Sequence, residues 1–517
     1  MSARASTIAA LAGALAFGCS GQTSTTQSPP RQPAAAAGAS RSVASAPKEP
    51  REPPPPSGPA RPYTSPKTTW TKLGNGLEVA TRIDRAVPIV HLRIAALAGS
   101  AMDGERTGLA AVCARAIAES GAGAMDDREL RGKLEALGAT LQVDVDASRA
   151  VYGLSVAKDR LGEAVELLAQ ITTRPRLGAA DVERVRKEAA ARAASLSRED
   201  ADWAAMMVLY DDLFALPSEH HPYASYDARA DEIAKIKPAD CKDYHRRLFV
   251  PKNMLVAATG DVKPEEVAAA AKKSLGARRG GEVPSLSLTD PMPPASLKLT
   301  LVDRPGSTQS VVVVGTLGPQ REEATHAPFR VAEQLLGGAF TGRLHRDLRE
   351  ARGLSYITHA SVDELAGAPS VFYAYGATET KSTGAVLDGL LGHLRKLAEA
   401  VPEQEEIDTA ANFLVGIRSV RMGRPGASAS DIVQLWANRL PDDAPDTLAK
   451  AMRDATPEAV TRAFSEHVRV GHAIVVVVGD AARTGPLLQP FGEVKVVDPT
   501  RGFTRVRTLP QKSGQEG

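Results

Sequence analysis

Apolar residues recur at helical spacing over residues 106–120, 126–137, 158–173 and 178–197, and the pattern continues through 200–216 and 228–248. Between these stretches lie apolar runs of strand length. "TKLGNGLEVATRI" predicts two short strands across an Asn-Gly turn. "VPIVHLRIAALAGS" predicts another strand, and "NMLVAATGD" (253–261) a buried one that ends in Gly-Asp. "VKPEEVAAAAKKSLG", with a proline near its start, predicts a helix. The patterned region begins at Trp70.

The same order then recurs. "TQSVVVVGTLGPQ" (308–320) stands 220 residues after "PIVHLRIAALAGS", and "AIVVVVGD" (473–480) repeats the Gly-Asp ending 219 residues after Gly260. Two markers at nearly one offset predict an internal duplication. The stretch "GARRGGEVPSLSLTDPMPPAS" (276–296) between the copies is rich in Gly, Pro and Ser and reads as a linker. The expected fold class is α+β, with two homologous domains, each a mainly antiparallel sheet layered with helices. The first domain spans 69–280, the linker 281–297, the second domain 298–500 and a tail 501–517.

The N-terminus carries a different signal. In "MSARASTIAALAGALAFGC" a positive Arg4 precedes a short apolar core, and small Gly18 precedes Cys19. Residues 1–19 resemble a bacterial lipoprotein signal peptide, in which Cys19 is the lipidated residue. Ala16 stands where the usual box has Leu, so a plain secretory signal stays open. Residues 20–68 hold 12 of the 36 prolines and predict a disordered tether. The implied location is the cell envelope, lipid-anchored at the outer membrane and facing the periplasm. Lys+Arg 63 against Asp+Glu 61 gives no bulk charge to recruit nucleic acid. No later apolar run is long enough to span a membrane. Cys113 and Cys241, in apolar-periodic segments, read as buried small hydrophobes and not as a disulfide framework.

Several segments, in order, resemble the pitrilysin/insulinase-type zinc peptidases (inverzincins), the group that includes the mitochondrial processing peptidase subunits. They are "NGLEV", the strand closing in "AGS", "GLA" opening a helix, "EALGATLQVDVDASRAVYGLSV", "HPYASYDARADEIAKIKPADCKDYHRRLFVPKNMLVAATGD", "VDRPGSTQSVVVVG" and "GGAFTGRLHRDLREARGLSY". Active members carry H-x-x-E-H on the helix that "GLA" opens, with two His binding Zn²⁺, the Glu as general base, and a further Glu about 77 residues on completing the site. Carried onto this sequence, the His slots hold Ala111 and Arg115, the base slot holds Ala114, and the distal Glu slot falls at Arg192, give or take one residue. Alanine has no donor atom, and a guanidinium repels a cation. The resemblance therefore implies no metal in this chain, and zinc in a partner subunit.

The other family signature is present. Two-chain members use an Arg and a Tyr seven apart, from a domain facing the zinc domain, to orient substrate and stabilise the oxyanion. Arg349 and Tyr356 match that spacing. From the residues alone, Arg349 pairing with Glu350 or Asp347, and Tyr356 packing in the sheet, is the competing reading. "HRDL" (345–348) lacks the other parts of a kinase site, "SEHHPYAS" reads as a loop, and "ERVRKEAAARAAS" (183–195) as a solvated face. The expectation is a non-catalytic subunit of an envelope metalloendopeptidase. It would supply the Arg/Tyr pair to a zinc-bearing homologous chain acting on extended peptides. A peptide-binding scaffold without proteolysis and a peptidase with a displaced metal site remain as alternatives.

Overall fold

The computed structural model describes residues 64–217, 220–283 and 285–512. The expected signal peptide, Cys19 and the tether up to residue 63 lie outside them. Among the described residues thirteen strands form two sheets. The first contains β1 (Thr69–Lys72), β2 (Glu78–Ile83), β3 (Ile89–Ala96), β4 (Gln142–Val145), β5 (Ala150–Ala157) and β6 (Met254–Gly260). The second contains β7 (Lys298–Asp303), β8 (Gln309–Leu317), β9 (Ser355–Asp363), β10 (Val371–Glu379), β11 (Ile474–Gly479), β12 (Val494–Asp498) and β13 (Thr504–Leu509).

The orders are β1-β2-β6-β3-β5-β4 and β13-β12-β7-β11-β8-β10-β9. Five neighbours correspond one to one: β2-β6-β3-β5-β4 with β7-β11-β8-β10-β9. In each set the first pair is parallel and the rest antiparallel. The duplication seen in the sequence is thus a duplication of sheet topology. The central strands β6, β8 and β11 are buried along nearly their whole length, which is why they read as continuous apolar runs without alternation. The segment expected as a tail supplies β13, an edge strand beside β12.

The first half carries α1 (Leu109–Glu119), α2 (Asp127–Ala136), α3 (Leu161–Thr173), α4 (Ala179–Glu199), α5 (Ala201–Leu213), α6 (Ala230–Ile233), α7 (Pro238–Leu248) and α8 (Pro264–Leu275). The second carries α9 (His326–Glu333), α10 (Thr383–Glu399), α11 (Gln404–Met422), α12 (Ala427–Ala437), α13 (Ala444–Arg453), α14 (Pro457–His467) and α15 (Ala481–Leu488). The helical pattern at 228–248 breaks into α6 and α7 because Pro238 pushes Lys237 into an extended conformation (φ −113°, ψ 157°). The Asn-Gly turn is wider than a two-residue hairpin: Lys72 pairs with Glu78, and Gly76 takes φ 88° within the loop.

Each sheet packs one face on its own helices. The opposite faces are covered reciprocally. α5, from the first half, lies on β8 and β11 of the second sheet, with Met206 and Leu209 among Val311, Val313, Ile474 and Val476. α12, from the second half, lies on β6 and β3 of the first, with Ile432 and Val433 among Ala95, Leu255 and Ala257. A buried ion pair, Arg82–Asp431 at 2.6 Å, seals the second of these exchanges. Ser65, near the end of the expected tether, and Trp70 of β1 also reach the second half: Ser65 Oγ donates to Asp446 at 2.9 Å and Trp70 Nε1 to Asp442 at 3.1 Å.

One expectation about the cysteines is corrected. Cys113 of α1 and Cys241 of α7 are joined in a disulfide, with Cα atoms 5.0 Å apart across 128 residues of sequence. Both positions are fully buried, as expected of small hydrophobes, but the fold brings them side by side.

Candidate functional site

Ala111, Ala114 and Arg115, the positions that the resemblance assigns to the ligands and the base, lie on α1, which follows Gly108 in the left-handed region (φ 88°). Buried Asp103 holds its first turn: the carboxylate accepts from Gly108 N and Ala110 N, both at 2.7 Å. Burial pushes the Asp103 carboxyl up to about 7 despite these two donors. Leu109, Val112, Cys113, Ala116 and Ile117 face the core. Ala114 is also buried, and its carbonyl accepts from the Tyr152 hydroxyl at 3.0 Å. Ala111 and Arg115, four apart, share the outward side.

Arg115 is engaged by carboxylates. Its Nε donates to Glu119 at 2.6 Å and its Nη2 to Glu188 of α4 at 2.7 Å. Arg184 of α4 closes a ring, meeting Glu119 at 2.8 Å and Glu188 at 3.3 Å. Burial works against the Glu119 charge, but the Arg115 and Arg184 hydrogen bonds outweigh it and hold its carboxyl below the usual range. Arg192 is exposed on α4, one turn beyond Glu188. Zinc needs three side chains with free nitrogen, sulfur or oxygen donors. This place offers a methyl at 111, a buried methyl at 114 and a guanidinium at 115, and its two carboxylates are committed to arginines. The residues do not fit a zinc ion. No group of three or more His, Cys, Asp or Glu suited to a metal occurs among the described residues.

Arg349 and Tyr356 are brought together. Arg349 lies in a π-helical turn, His345–Ala351, anchored by buried Leu348. Gly353 in the left-handed region (φ 60°) then reverses the chain into β9, the edge strand of its sheet. There Ser355 pairs with Thr378 and Ile357 with Ala377, so Tyr356 has no opposite residue on β10. This bulge turns the ring outward, leaving Tyr356 71% exposed. The Arg349 guanidinium stacks on it, 4.5 Å from the ring centroid. The carboxylates next to Arg349 are taken: Asp347 binds Arg352 and His393, each at 2.8 Å, and Glu350 faces His345 at 3.8 Å. Among the described residues no carboxylate pairs with Arg349, and Tyr356 does not pack in the sheet.

Sequence reasoning passed over two exposed apolar side chains, Phe340 ahead of the π-helical turn (77% exposed) and Ile357 on β9 (50% exposed). Phe340 meets the edge of the His345 ring at 5.0 Å. Its loop is held against β9 by Gly337, where a Cβ would stand 2.4 Å from the Ala360 nitrogen. A phenylalanine two residues after a Gly-Gly pair was the available signal. The discounted motifs are otherwise occupied. His221 stacks on Phe214 at 4.7 Å, His220 meets Ser225 at 3.2 Å, and Arg346 of "HRDL" binds Glu406 at 3.1 Å.

Two sheet-plus-helix domains of matching topology define the architecture of an insulinase-type peptidase. Residues 78–219 match the family "Insulinase (Peptidase family M16)" and residues 235–414 match "Peptidase M16 inactive domain". The chain belongs to the insulinase (M16) peptidase family. It is 27% identical over 308 residues to an uncharacterized zinc protease of Mycobacterium tuberculosis, covering 59% of this chain and 69% of that protein. It is 26% identical over 212 residues to a probable mitochondrial-processing peptidase subunit beta of Schizosaccharomyces pombe, 41% of this chain and 45% of that one. The fold is similar to the crystal structure of a peptidase M16 inactive domain from Pseudomonas fluorescens, with a TM-score of 0.73 and 23% identity over 80% of this chain and 98% of that one.

Proposed function

We propose that this chain is the non-catalytic subunit of an envelope peptidase of the insulinase family, working beside a zinc-bearing homologous chain on extended peptides. The observation that carries this reading is the Arg349–Tyr356 stack: a cation that no carboxylate among the described residues pairs, lying on a phenol ring turned away from the sheet, at an open sheet edge. Such groups suit a peptide carbonyl on which negative charge develops. The ligand-free metal position supports the assignment of zinc, and of bond cleavage, to the partner. The Cys113–Cys241 disulfide supports an oxidising compartment, as the cell envelope is. Lipidation at Cys19 and the outer-membrane location are part of the same proposal.

The test is reconstitution. Capture of the mature protein from its own cells is expected to recover a homologue with H-x-x-E-H, and the pair to cleave unstructured peptides. Arg349→Ala or Tyr356→Phe is then expected to lower kcat on the order of 10²-fold with assembly unchanged. Full activity in both variants would remove the assigned role. Peptide binding without any zinc-bearing partner would favour a scaffold instead.

A further inference from the structure

α1 is an unusual helix to leave without a metal. It has 11 residues, and much of its inward face is Ala110, Ala114, Ala116 and Cys113. Small side chains bury little apolar area, and a helix this short is marginal without tertiary support. In zinc-bearing relatives the ion would tie this helix to the one that carries the distal ligand, here α4. The same junction in this chain is bridged by charge. Arg115 and Glu119 from α1, with Arg184 and Glu188 from α4, form a closed ring in which each arginine meets both carboxylates, at 2.6–3.3 Å. On the opposite, buried side, Cys113 bonds covalently to Cys241 of α7.

We propose that α1 is locked by oxidation and charge in place of a metal: the Cys113–Cys241 disulfide and the Arg115–Glu119–Arg184–Glu188 ring fix it against α7 and α4. The two locks differ in kind. The ring is exposed, so salt screens it. The disulfide is indifferent to salt, and opens only by a two-electron reduction. Dithiothreitol supplies both electrons and both protons, and itself closes to a cyclic disulfide as two cysteine thiols form. The chain therefore depends on redox state where its zinc relatives depend on a metal. This holds whether or not a partner subunit exists.

The experiment is amide hydrogen exchange of α1, with the thermal midpoint, on the full mature protein. Treatment with EDTA followed by desalting is expected to change neither. In Cys113→Ala/Cys241→Ala the α1 amides are expected to exchange at least about tenfold faster and the midpoint to fall by about 5–10 °C, with β10 exchange less affected. Wild-type protein reduced by dithiothreitol to two titratable thiols is expected to match, which keeps the test open if the variant does not fold. Arg115→Gln and Glu188→Gln are each expected to speed α1 exchange at low salt but not in 1 M NaCl, and the exchanged pair Arg115→Glu/Glu188→Arg to recover part of the loss. Unchanged α1 exchange on reduction would overturn the disulfide lock, and unchanged exchange at low salt in both ring variants the ionic one. Stoichiometric zinc whose removal loosens α1 would overturn the proposal entirely.

Discussion

Two carboxyls, half-buried Glu364 and buried Asp103, are displaced in opposite directions and contribute to the acid response with opposite sign. Glu364, at the end of β9, is opposed by burial but held well below the usual range by the His326 hydrogen bond and by Arg330 and Arg321. Its contribution is present above the ordinary glutamate pKa and is lost as pH falls toward the folded value. Asp103 is the reverse case. Its folded pKa lies above its unfolded one, so between pH 4 and about 7 the folded state holds more protons, and stability from this group falls as pH rises. The two windows meet near pH 4. Glu364→Gln is expected to flatten the loss below pH 4, at a cost of about 3 kcal/mol near neutrality, because Arg321 loses its carboxylate while Arg330 keeps Glu333 at 3.4 Å. Asp103→Asn is expected to flatten the slope between pH 4 and 7 and to cost about 1 kcal/mol above it, through one lost cap bond. Urea unfolding of each variant across pH checks both; parallel curves for variant and wild type would contradict the assignment. At this scale the sequence states side-chain chemistry directly: Ala111 and Ala114 carry no donor atom in any fold. Tyr356 was readable as a candidate by spacing, but its exposure comes from the bulge against β10, which one strand's sequence does not encode.

Elements tell the same story with other causes. The strands β6, β8 and β11 were legible because parallel and central positions demand apolar residues on both faces. α5 was legible as a helix, and the structure buries Trp203 through Tyr210 on every side. What it is buried against was not legible, because an apolar face does not name its partner. The answer is the second sheet, and α12 returns the exchange on the first. α12 is fixed by more than apolar contact. Asp431 accepts from Arg82 at 2.6 Å and from Arg418 at 3.1 Å, and Arg82 is 1% exposed. Asp431→Ala would leave Arg82 buried without its carboxylate, an expected loss of about 3–5 kcal/mol in urea unfolding. Arg82→Met/Asp431→Leu, which removes both charges, is expected to recover most of it. A double variant no better than the single would mean that packing of α12, not charge, sets the cost. The Cys113–Cys241 bond escaped reading for a similar reason: α1 and α7 meet only in the fold, 128 residues apart in sequence.

For the whole molecule, the exchanged helices make the two homologous halves one folding unit. The duplication and the linker between the copies suggest two separable domains. Yet a fragment of residues 64–283 would carry α5 with no second sheet to cover, and would expose Ala80, Ala95, Val151, Leu255 and Ala257 where α12 belongs. Uncovered apolar faces of this kind drive association. The fragment is therefore expected to aggregate or bind a hydrophobic dye, and the fragment 285–512 to do the same with its sheet bare of α5. Co-expressed, the two are expected to form a soluble one-to-one complex, since every exchanged contact is then restored. The intact chain is expected to unfold in one calorimetric transition whose van't Hoff and calorimetric enthalpies agree. Two resolved transitions, or a fragment 64–283 that stays monomeric and folded, would show that each half stands by itself and that α5 and α12 are packing decoration.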